Sequence, residues 1–151
     1  MSTSAAVHGA AAGRQYQSLD GAWMLRLDPE DQGKEQQWHQ DAEHNDALDV
    51  TVPSVWDRWV PDYDGVGWYF HTFDLEHAWD GRHIELHFEA VDYYAEVWLN
   101  GVRLGDHEGG YTPFSFVVTP HLKRENNRLA VRVIDPHGPE GFNGFKPLEI
   151  P

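Results

Sequence analysis

The stretch from His83 to Leu104, HIELHFEAVDYYAEVWLNGVRL, decides the fold class. Its first six residues alternate, so Ile84, Leu86 and Phe88 are predicted on one face of a strand, with polar side chains on the other. A second alternating segment ends at Asn100-Gly101, the strongest hairpin signal in the chain, because both central positions of a type I′ turn need a positive φ. The stretch therefore predicts a half-buried strand followed by a tight antiparallel hairpin.

The rest of the chain repeats this pattern of short strands and polar turns. Near the N-terminus, alternation places Trp23, Leu25 and Leu27 on one face of a strand. Other segments with strand composition lie at 50–52, 68–75, 115–118 and 129–134. A total of about eight short strands, with no convincing amphipathic helix of ten or more residues, predicts an all-β, antiparallel sandwich or barrel.

Trp98 has the opposite parity to Val97 and Leu99, so its ring is predicted on the other face of the same strand. Two interpretations stay open for that face. It is either a buried core or domain interface, or a platform on which a sugar ring stacks.

Composition excludes several function classes. The chain has 151 residues and a formal net charge of −14, which argues against nucleic acid and anionic membranes as partners, since both need a basic patch. It has no cysteine, so neither disulfides nor thiolate metal sites contribute. Aromatic residues make up 13%, as expected of a sandwich core and also of a domain that stacks sugars.

Three segments are predicted along the chain. Residues 1–16 are small and polar without a period, so we expect a disordered segment with no secretory signal, and hence a cytoplasmic protein. Residues 17–136 form the domain. Residues 137–151 are rich in glycine and proline and are expected to be a linker towards further domains, as in a truncated piece of a longer protein.

Six segments, read in order, resemble one family. They are LDGAW at 19–23; VPSVW at 52–56; YDG at 63–65 with GWY at 67–69 and Phe73; VDYYAEVWLNG at 91–101; GDHEGGYTPF at 105–114; and NNRLAVRV at 126–133. Together they resemble the N-terminal sugar-binding domain of family 2 glycoside hydrolases, which include β-galactosidases, β-glucuronidases and β-mannosidases. The resemblance covers residues 19 to 136.

The resemblance implies a galactose-binding-like jelly roll, in agreement with the strand count. It also implies a parent enzyme of carbohydrate metabolism that hydrolyses O-glycosyl bonds of terminal β-glycosides with retention, most simply a β-galactosidase or β-glucuronidase. In such enzymes an immunoglobulin-like domain and a (β/α)₈ barrel follow, and the barrel supplies two catalytic glutamates ~5 Å apart. No catalytic residue is therefore assigned to this chain.

The loop from Trp56 to Gly67, WDRWVPDYDGVG, combines flat apolar rings with carboxylates, as sugar recognition requires. The resemblance implies that it faces the barrel and lends a residue or two to the pocket for the terminal sugar. The alternative is that Trp56 and Tyr63 plug the end of the sandwich while the aspartates are solvated. The candidate substrate-binding residues are Asp57, Trp59, Asp62, Tyr63 and Asp64.

We expect no cofactor and no biological metal site. The histidines show neither H-x-x-x-H nor H-E-x-x-H spacing. Three weaker patterns remain as alternatives: His107-Glu108 beside glycines, a surface zinc on the outward residues of one strand, and calcium on loop aspartates. Their members are His83, Glu85 and His87 for zinc, and Asp28, Asp31, Asp62 and Asp64 for calcium.

Three functions follow from these observations. The first is a non-catalytic accessory domain that orients the barrel and completes the rim of the substrate pocket. The others are a free-standing carbohydrate-binding module and a purely structural domain without sugar affinity. The expected partners are a terminal β-linked sugar and the downstream domains, with a homo-oligomer left open and neither nucleic acid nor membrane among them.

Overall fold

The computed structural model describes residues 5–11, 13–54, 56–76, 83–110 and 112–135, with side chains described from Tyr16 onward except that of Asp57. Within these ranges the chain forms ten strands. They are β1 (Ala5–Ala11), β2 (Gly13–Ser18), β3 (Gly21–Leu27), β4 (Leu48–Val52), β5 (Gly65–Phe73), β6 (His83–Phe88), β7 (Tyr94–Leu99), β8 (Val102–Glu108), β9 (Phe114–Val117) and β10 (Asn127–Asp135). Short 3₁₀ helices lie at Trp38–Gln40, Trp56–Arg58 and Thr119–His121.

The strands form two sheets in which neighbours pair antiparallel. One sheet has four strands in the order β2-β1-β6-β9, and the other has six in the order β4-β3-β5-β10-β7-β8. This arrangement confirms the predicted all-β antiparallel sandwich.

The main core lies between the two sheets. The alternation predicted for β6 is confirmed, because Ile84, Leu86 and Phe88 are buried there. On the opposing sheet Trp23 and Leu25 face the same core, as predicted, and Leu27 packs against it partly buried. Burying apolar surface at about 25 cal/mol per Å² on both inner faces is the main stabilising contribution.

The outer face of the six-stranded sheet carries a second core. It holds Trp68 and Phe70 of β5, together with Trp98 of β7, which is 5% exposed. Trp38, from the connection between β3 and β4, packs on this face. Trp98 is therefore a core residue rather than an open sugar platform.

The N-terminal segment differs from the sequence prediction. Residues 1–16 were expected to be disordered, but β1 and most of β2 lie there, and β1 pairs with β6 along a six-residue register from Ala5↔Phe88 to Ala10↔His83. The pairing uses main-chain groups that β6 offers along its edge. Residues 5–13 are mostly alanine and glycine, so they show no alternation of large apolar and polar side chains from which a strand could be predicted. The predicted linker, residues 137–151, lies outside the described residues.

The predicted turn at Asn100-Gly101 is present, with φ of 52° and 81°. It is tied to a buried amide. Asn127 is fully buried, and its Nδ2 donates to the carbonyl oxygens of Phe73 and Lys123 while its Oδ1 accepts from the amide of Lys123 and from Nδ2 of Asn100. One side chain thus joins the ends of β5, β7 and β10.

Replacing Asn127 tests this junction. Asn127→Leu keeps the branched shape of the side chain but leaves buried main-chain groups unpaired, so we expect the free energy of unfolding to fall by about 3 kcal/mol. Asn126→Gly is the matched control, because Asn126 is exposed at a φ of 56° that glycine adopts easily. Urea denaturation measures both variants, and equal stabilities would contradict the assigned role of Asn127.

Candidate functional site

The loop between β4 and β5 starts with a tight 3₁₀ turn. The amides of Trp59 and Val60 both donate to the carbonyl oxygen of Trp56, at 2.7 and 2.8 Å. Sequence alone suggested a long open loop here, but these bonds fold its first half into a compact turn.

Two aromatic rings of this loop point into the sandwich. Trp56 is fully buried, and its ring meets that of Tyr63 edge-on at 5.5 Å. The Tyr63 hydroxyl donates to the carbonyl oxygen of Val66 at 2.7 Å. A Cβ at Gly67 would lie 2.7 Å from the Trp56 ring, so glycine is needed for this close approach. Trp56 and Tyr63 therefore plug the end of the core.

The remaining candidates lie nearer the surface. Trp59 is half-buried, its Nε1 donates to Oγ of Ser54 at 3.1 Å, and the guanidinium of Arg58 lies 5.1 Å from its ring centroid. Asp62, at a φ of 62°, and Asp64 are exposed. The loop thus presents two carboxylates and one edge of an indole ring on a rigid base, while the side chain of Asp57 lies outside the description.

Residues 28–47, which we call the cover segment, fold over the outer face of the six-stranded sheet. Asp28 anchors its start: the buried carboxylate accepts from the amides of Gln32 and Gly33 and from Nε1 of Trp68, at 2.7, 2.8 and 3.0 Å. A Cβ on Gly33 would lie within 2.8 Å of Trp68 and Trp38. The anchor therefore needs the bare glycine backbone as well as the carboxylate.

A buried ion network holds the cover segment to the sheet. Arg132 of β10 has no exposed surface; its Nη1 donates to Glu96 of β7 and its Nη2 to both carboxylate oxygens of Asp31, all at 2.7 Å. Lys34 and Arg103 also contact Glu96, at 3.2 and 3.3 Å. Sequence reasoning missed this network. The usable signal was that Glu96 and Arg132 are charged residues on the same outer face of the sheet as the large apolar Trp98.

The network extends to β8, where Arg103 pairs with Asp106 at 2.8 Å and the Tyr94 hydroxyl donates to the same carboxylate at 3.1 Å. Burial, and then the nearby Glu96, raise the pKa of Tyr94 to about 12. Three cations and three carboxylates are balanced here, which is the condition for keeping Glu96 and Arg132 away from water.

The cover segment also braces the candidate loop. The amide of Asp28 donates to the carbonyl oxygen of Val66 at 2.9 Å, the same oxygen that accepts from Tyr63. Burial raises the pKa of the Tyr63 hydroxyl, and the carboxylates of Asp28 and Asp31 add to this effect. The exposed carboxylates of the loop are therefore attached to a fixed frame.

Two histidines of the cover segment stack on aromatic rings of the sheet. His44 lies on Phe70 with centroids 3.4 Å apart, and His39 lies on Trp98 at 5.0 Å. Burial lowers the pKa of both imidazoles; Arg26 and Arg128 lower that of His44 further, while Asp41 raises both. Docking of the segment therefore disfavours the charged form of both rings.

The metal alternatives find no support in the described part of the chain, where no three His, Asp or Glu side chains gather as ligands. Asp28 and Asp31 are already occupied by hydrogen-bond donors. Among the proposed zinc residues, His83 forms an ion pair with Glu85 at 3.7 Å.

Within the described residues, no helix has the length and apolar character needed to cross a membrane.

A family model described as "Glycosyl hydrolases family 2, sugar binding domain" matches residues 57–140, more than half of the chain. This chain belongs to that family. The match confirms the resemblance drawn from the six sequence segments. It also includes most of the candidate loop.

Relatives of the domain are parts of larger proteins. A β-glucuronidase of Paenibacillus borealis is 32% identical over 70% of this chain and 18% of its own length, and a β-galactosidase of Thermoanaerobacter pseudethanolicus is 42% identical over 48% and 10%. A solved β-glucuronidase from Ruminococcus gnavus, in complex with D-glucaro 1,5-lactone, superposes with a TM-score of 0.76 and 29% identity over 83% of this chain and 23% of its own. The chain thus spans less than a quarter of these relatives' length.

Removing Arg132 from the buried ion network of this family 2 domain should strongly lower the free energy of unfolding. Arg132→Met leaves the buried carboxylate of Glu96 with only partly exposed partners, so the free energy of unfolding should fall by about 3–5 kcal/mol. Arg103→Met removes the other arginine on Glu96, which is half-exposed, and should cost less than about 1 kcal/mol. Urea denaturation compares the two, and a similar loss in both would show that burial of Arg132 is unimportant.

The two stacked histidines make stability depend on pH. Because the folded state lowers their pKa below the unfolded value of about 6.5, the unfolded state binds more protons in mildly acidic solution. Stability is therefore full above that value and falls as the pH drops below it.

The double variant His39→Asn/His44→Asn should lose less stability than the parent chain between pH 7.5 and 5.5, measured by urea denaturation at both values. His83→Asn, an exposed histidine, is the control. An unchanged pH dependence in the double variant would exclude these two rings as its source.

Proposed function

We propose that this chain is a non-catalytic accessory domain of a longer family 2 glycoside hydrolase, in which it orients the catalytic barrel and completes the rim of the substrate pocket. One observation carries the proposal. The loop of residues 56–64 turns Trp56 and Tyr63 inward as a plug, and it presents Asp62 and Asp64 outward on that rigid base. An edge of carboxylates is suited to completing a pocket whose other walls belong to another domain.

The parent's substrate is proposed to be a terminal β-glucuronide or β-galactoside. The support is that relatives named β-glucuronidase and β-galactosidase both match this domain. Retaining hydrolysis would use two glutamates of the barrel. The immunoglobulin-like domain and barrel are the proposed partners, and a homo-oligomer stays an open prediction.

A free-standing binding module is the second candidate. Such a module needs an exposed pair or row of aromatic rings. Among the described side chains, the exposed large apolar residues lie singly on four different strands, and one of them is aromatic: Tyr16, Leu48, Val102 and Val117. This distribution favours the accessory role, in which the loop of residues 56–64 binds the substrate sugar only together with the barrel.

A chemical-shift titration of the isotope-labelled chain with methyl β-glucuronide and methyl β-galactoside separates the two candidates. For an accessory domain we expect the signals of Trp59, Asp62 and Tyr63 not to saturate below tens of millimolar, since millimolar binding already requires about 4 kcal/mol. Saturation below a few millimolar at these residues would instead establish an autonomous module.

The rim role is tested in the whole enzyme that carries this domain. Asp62→Asn and Asp64→Ala should raise KM several-fold with an unchanged melting temperature, because both side chains are exposed and asparagine tolerates the positive φ of position 62. Asp46→Ala, an exposed residue of the cover segment, is the control. Unchanged KM in both loop variants would leave the domain a structural role alone.

The cytoplasmic location stays a prediction. Fractionation of cells that express the whole protein tests it.

A further inference from the structure

A cavity of about 480 Å³ lies between the outer face of the six-stranded sheet and the cover segment. Its floor is built from β3, β5 and β10, where Ala22 and Met24 carry the accessible apolar surface, because Phe70 and Ala130 are almost fully buried and His44 stacks on the Phe70 ring. Small side chains at the two alanine positions keep the space open. Ligand cavities typically measure ~300–1,000 Å³, so this one suits a ligand of one or two rings.

Polar groups of both signs line the cavity above this apolar floor. They are the carboxylates of Asp41 and Asp49, the hydroxyl of Thr72 and the guanidinium of Arg128. Carboxylates accept hydrogen bonds from hydroxyl groups, and a guanidinium offers five N–H donors, of which one here donates to the carbonyl oxygen of Gln40. These side chains match a ligand whose groups both donate and accept hydrogen bonds, as the hydroxyl groups of a polyol do.

The charge of the cavity selects against anions. Two carboxylates face one guanidinium, and burial lowers the pKa of all three imidazoles in the wall, those of His39, His44 and His71, which disfavours their charged forms. The net charge is therefore negative, and a ligand carboxylate would meet Asp41 and Asp49 with the same sign.

The wall also contains buried ring nitrogens without a hydrogen-bond partner. His44 is 7% exposed; its ring donates to the main chain of Asp41, yet its Nδ1 has no partner, and neither has Nδ1 of His39. In a neutral imidazole the nitrogen that carries no hydrogen is an acceptor. A buried acceptor without a donor destabilises the wall, and a ligand hydroxyl relieves that cost after a small side-chain shift.

We propose that this cavity binds one neutral hexopyranose unit, at a site separate from the loop of residues 56–64. The apolar floor takes the C–H face of the ring, while Asp41, Asp49 and Arg128 take its hydroxyl groups. Along β5, Phe70 lies five residues from Gly65, where the loop ends, which is about 17 Å of strand. The site therefore works independently of the pocket rim, and of the parent's own substrate.

The experiment is a chemical-shift titration of the labelled chain at pH 7.5 with methyl β-glucoside and methyl β-glucuronide, which differ only in the carboxylate at C6. The amide signals of Thr72, Arg128 and Ala130 should shift and saturate with the glucoside at a Kd of about 10 mM. The glucuronide should bind about fivefold more weakly or worse. No saturation with the glucoside by roughly ten times that Kd, or equal affinity for both sugars, would overturn the proposal.

Variants locate the binding. Ala22→Leu adds bulk at an exposed position of the floor and should weaken glucoside binding at least about fivefold. Thr51→Leu is the matched control. Thr51 lies on β4 opposite Ala22 of β3 and is exposed, but it does not line the cavity. Equal weakening by both variants would contradict the assigned position.

Charge variants test the selectivity. Asp49→Asn should reduce the difference in affinity between the glucoside and the glucuronide. Asp46→Asn lies outside the cavity and should leave this difference in affinity unchanged. A difference that survives Asp49→Asn would refute the electrostatic basis of the proposal.

The positions of the shifts keep the two proposals apart. Shifts at Thr72, Arg128 and Ala130 without any at Trp59 and Asp62 support the cavity site and leave the accessory role intact. Shifts confined to Trp59 and Asp62 overturn the cavity site and point to an autonomous module in the loop.

Discussion

The guanidinium of Arg132 has no contact with solvent, and the arrangement of the domain depends on how that charge is neutralised. Glu96 lies on the neighbouring strand and Asp31 comes from the cover segment, so the neutralising partners connect two strands with a distant connection. An isolated buried charge would cost several kcal/mol, whereas a network with balanced charge and full hydrogen bonding does not. The six-stranded sheet therefore needs the cover segment, which supplies one of the carboxylates that neutralise Arg132.

This requirement explains why the six-stranded sheet is buried on both faces. The inner face packs against the four-stranded sheet, and the outer face packs Trp68 and Trp98 beneath Trp38. Once the cover segment is fixed, Asp28 reaches Val66 and supports Tyr63. The chemistry-bearing loop thus takes its position from an ion network on β7 and β10 rather than from its own sequence.

The candidate site was predictable only in part. Composition and family resemblance pointed to the loop of residues 56–67, because it combines flat apolar rings with carboxylates. Which rings face outward was not predictable. Trp56 and Trp59 are three positions apart in one turn, and only packing against Leu25 and Gly67 decides that the first is buried and the second half-exposed.

The sequence by itself determined most of the strands from β3 onward, the hairpin turn at Asn100-Gly101 and the inner core, because side-chain alternation and positive φ are local properties. The tertiary structure decided the rest: the pairing of β1 with β6, the docking of the cover segment and the cavity beneath it. These depend on contacts between residues far apart in the chain, such as Asp31 with Arg132. No local pattern encodes such a contact, since its free energy exists only after both partners have been brought together and removed from water.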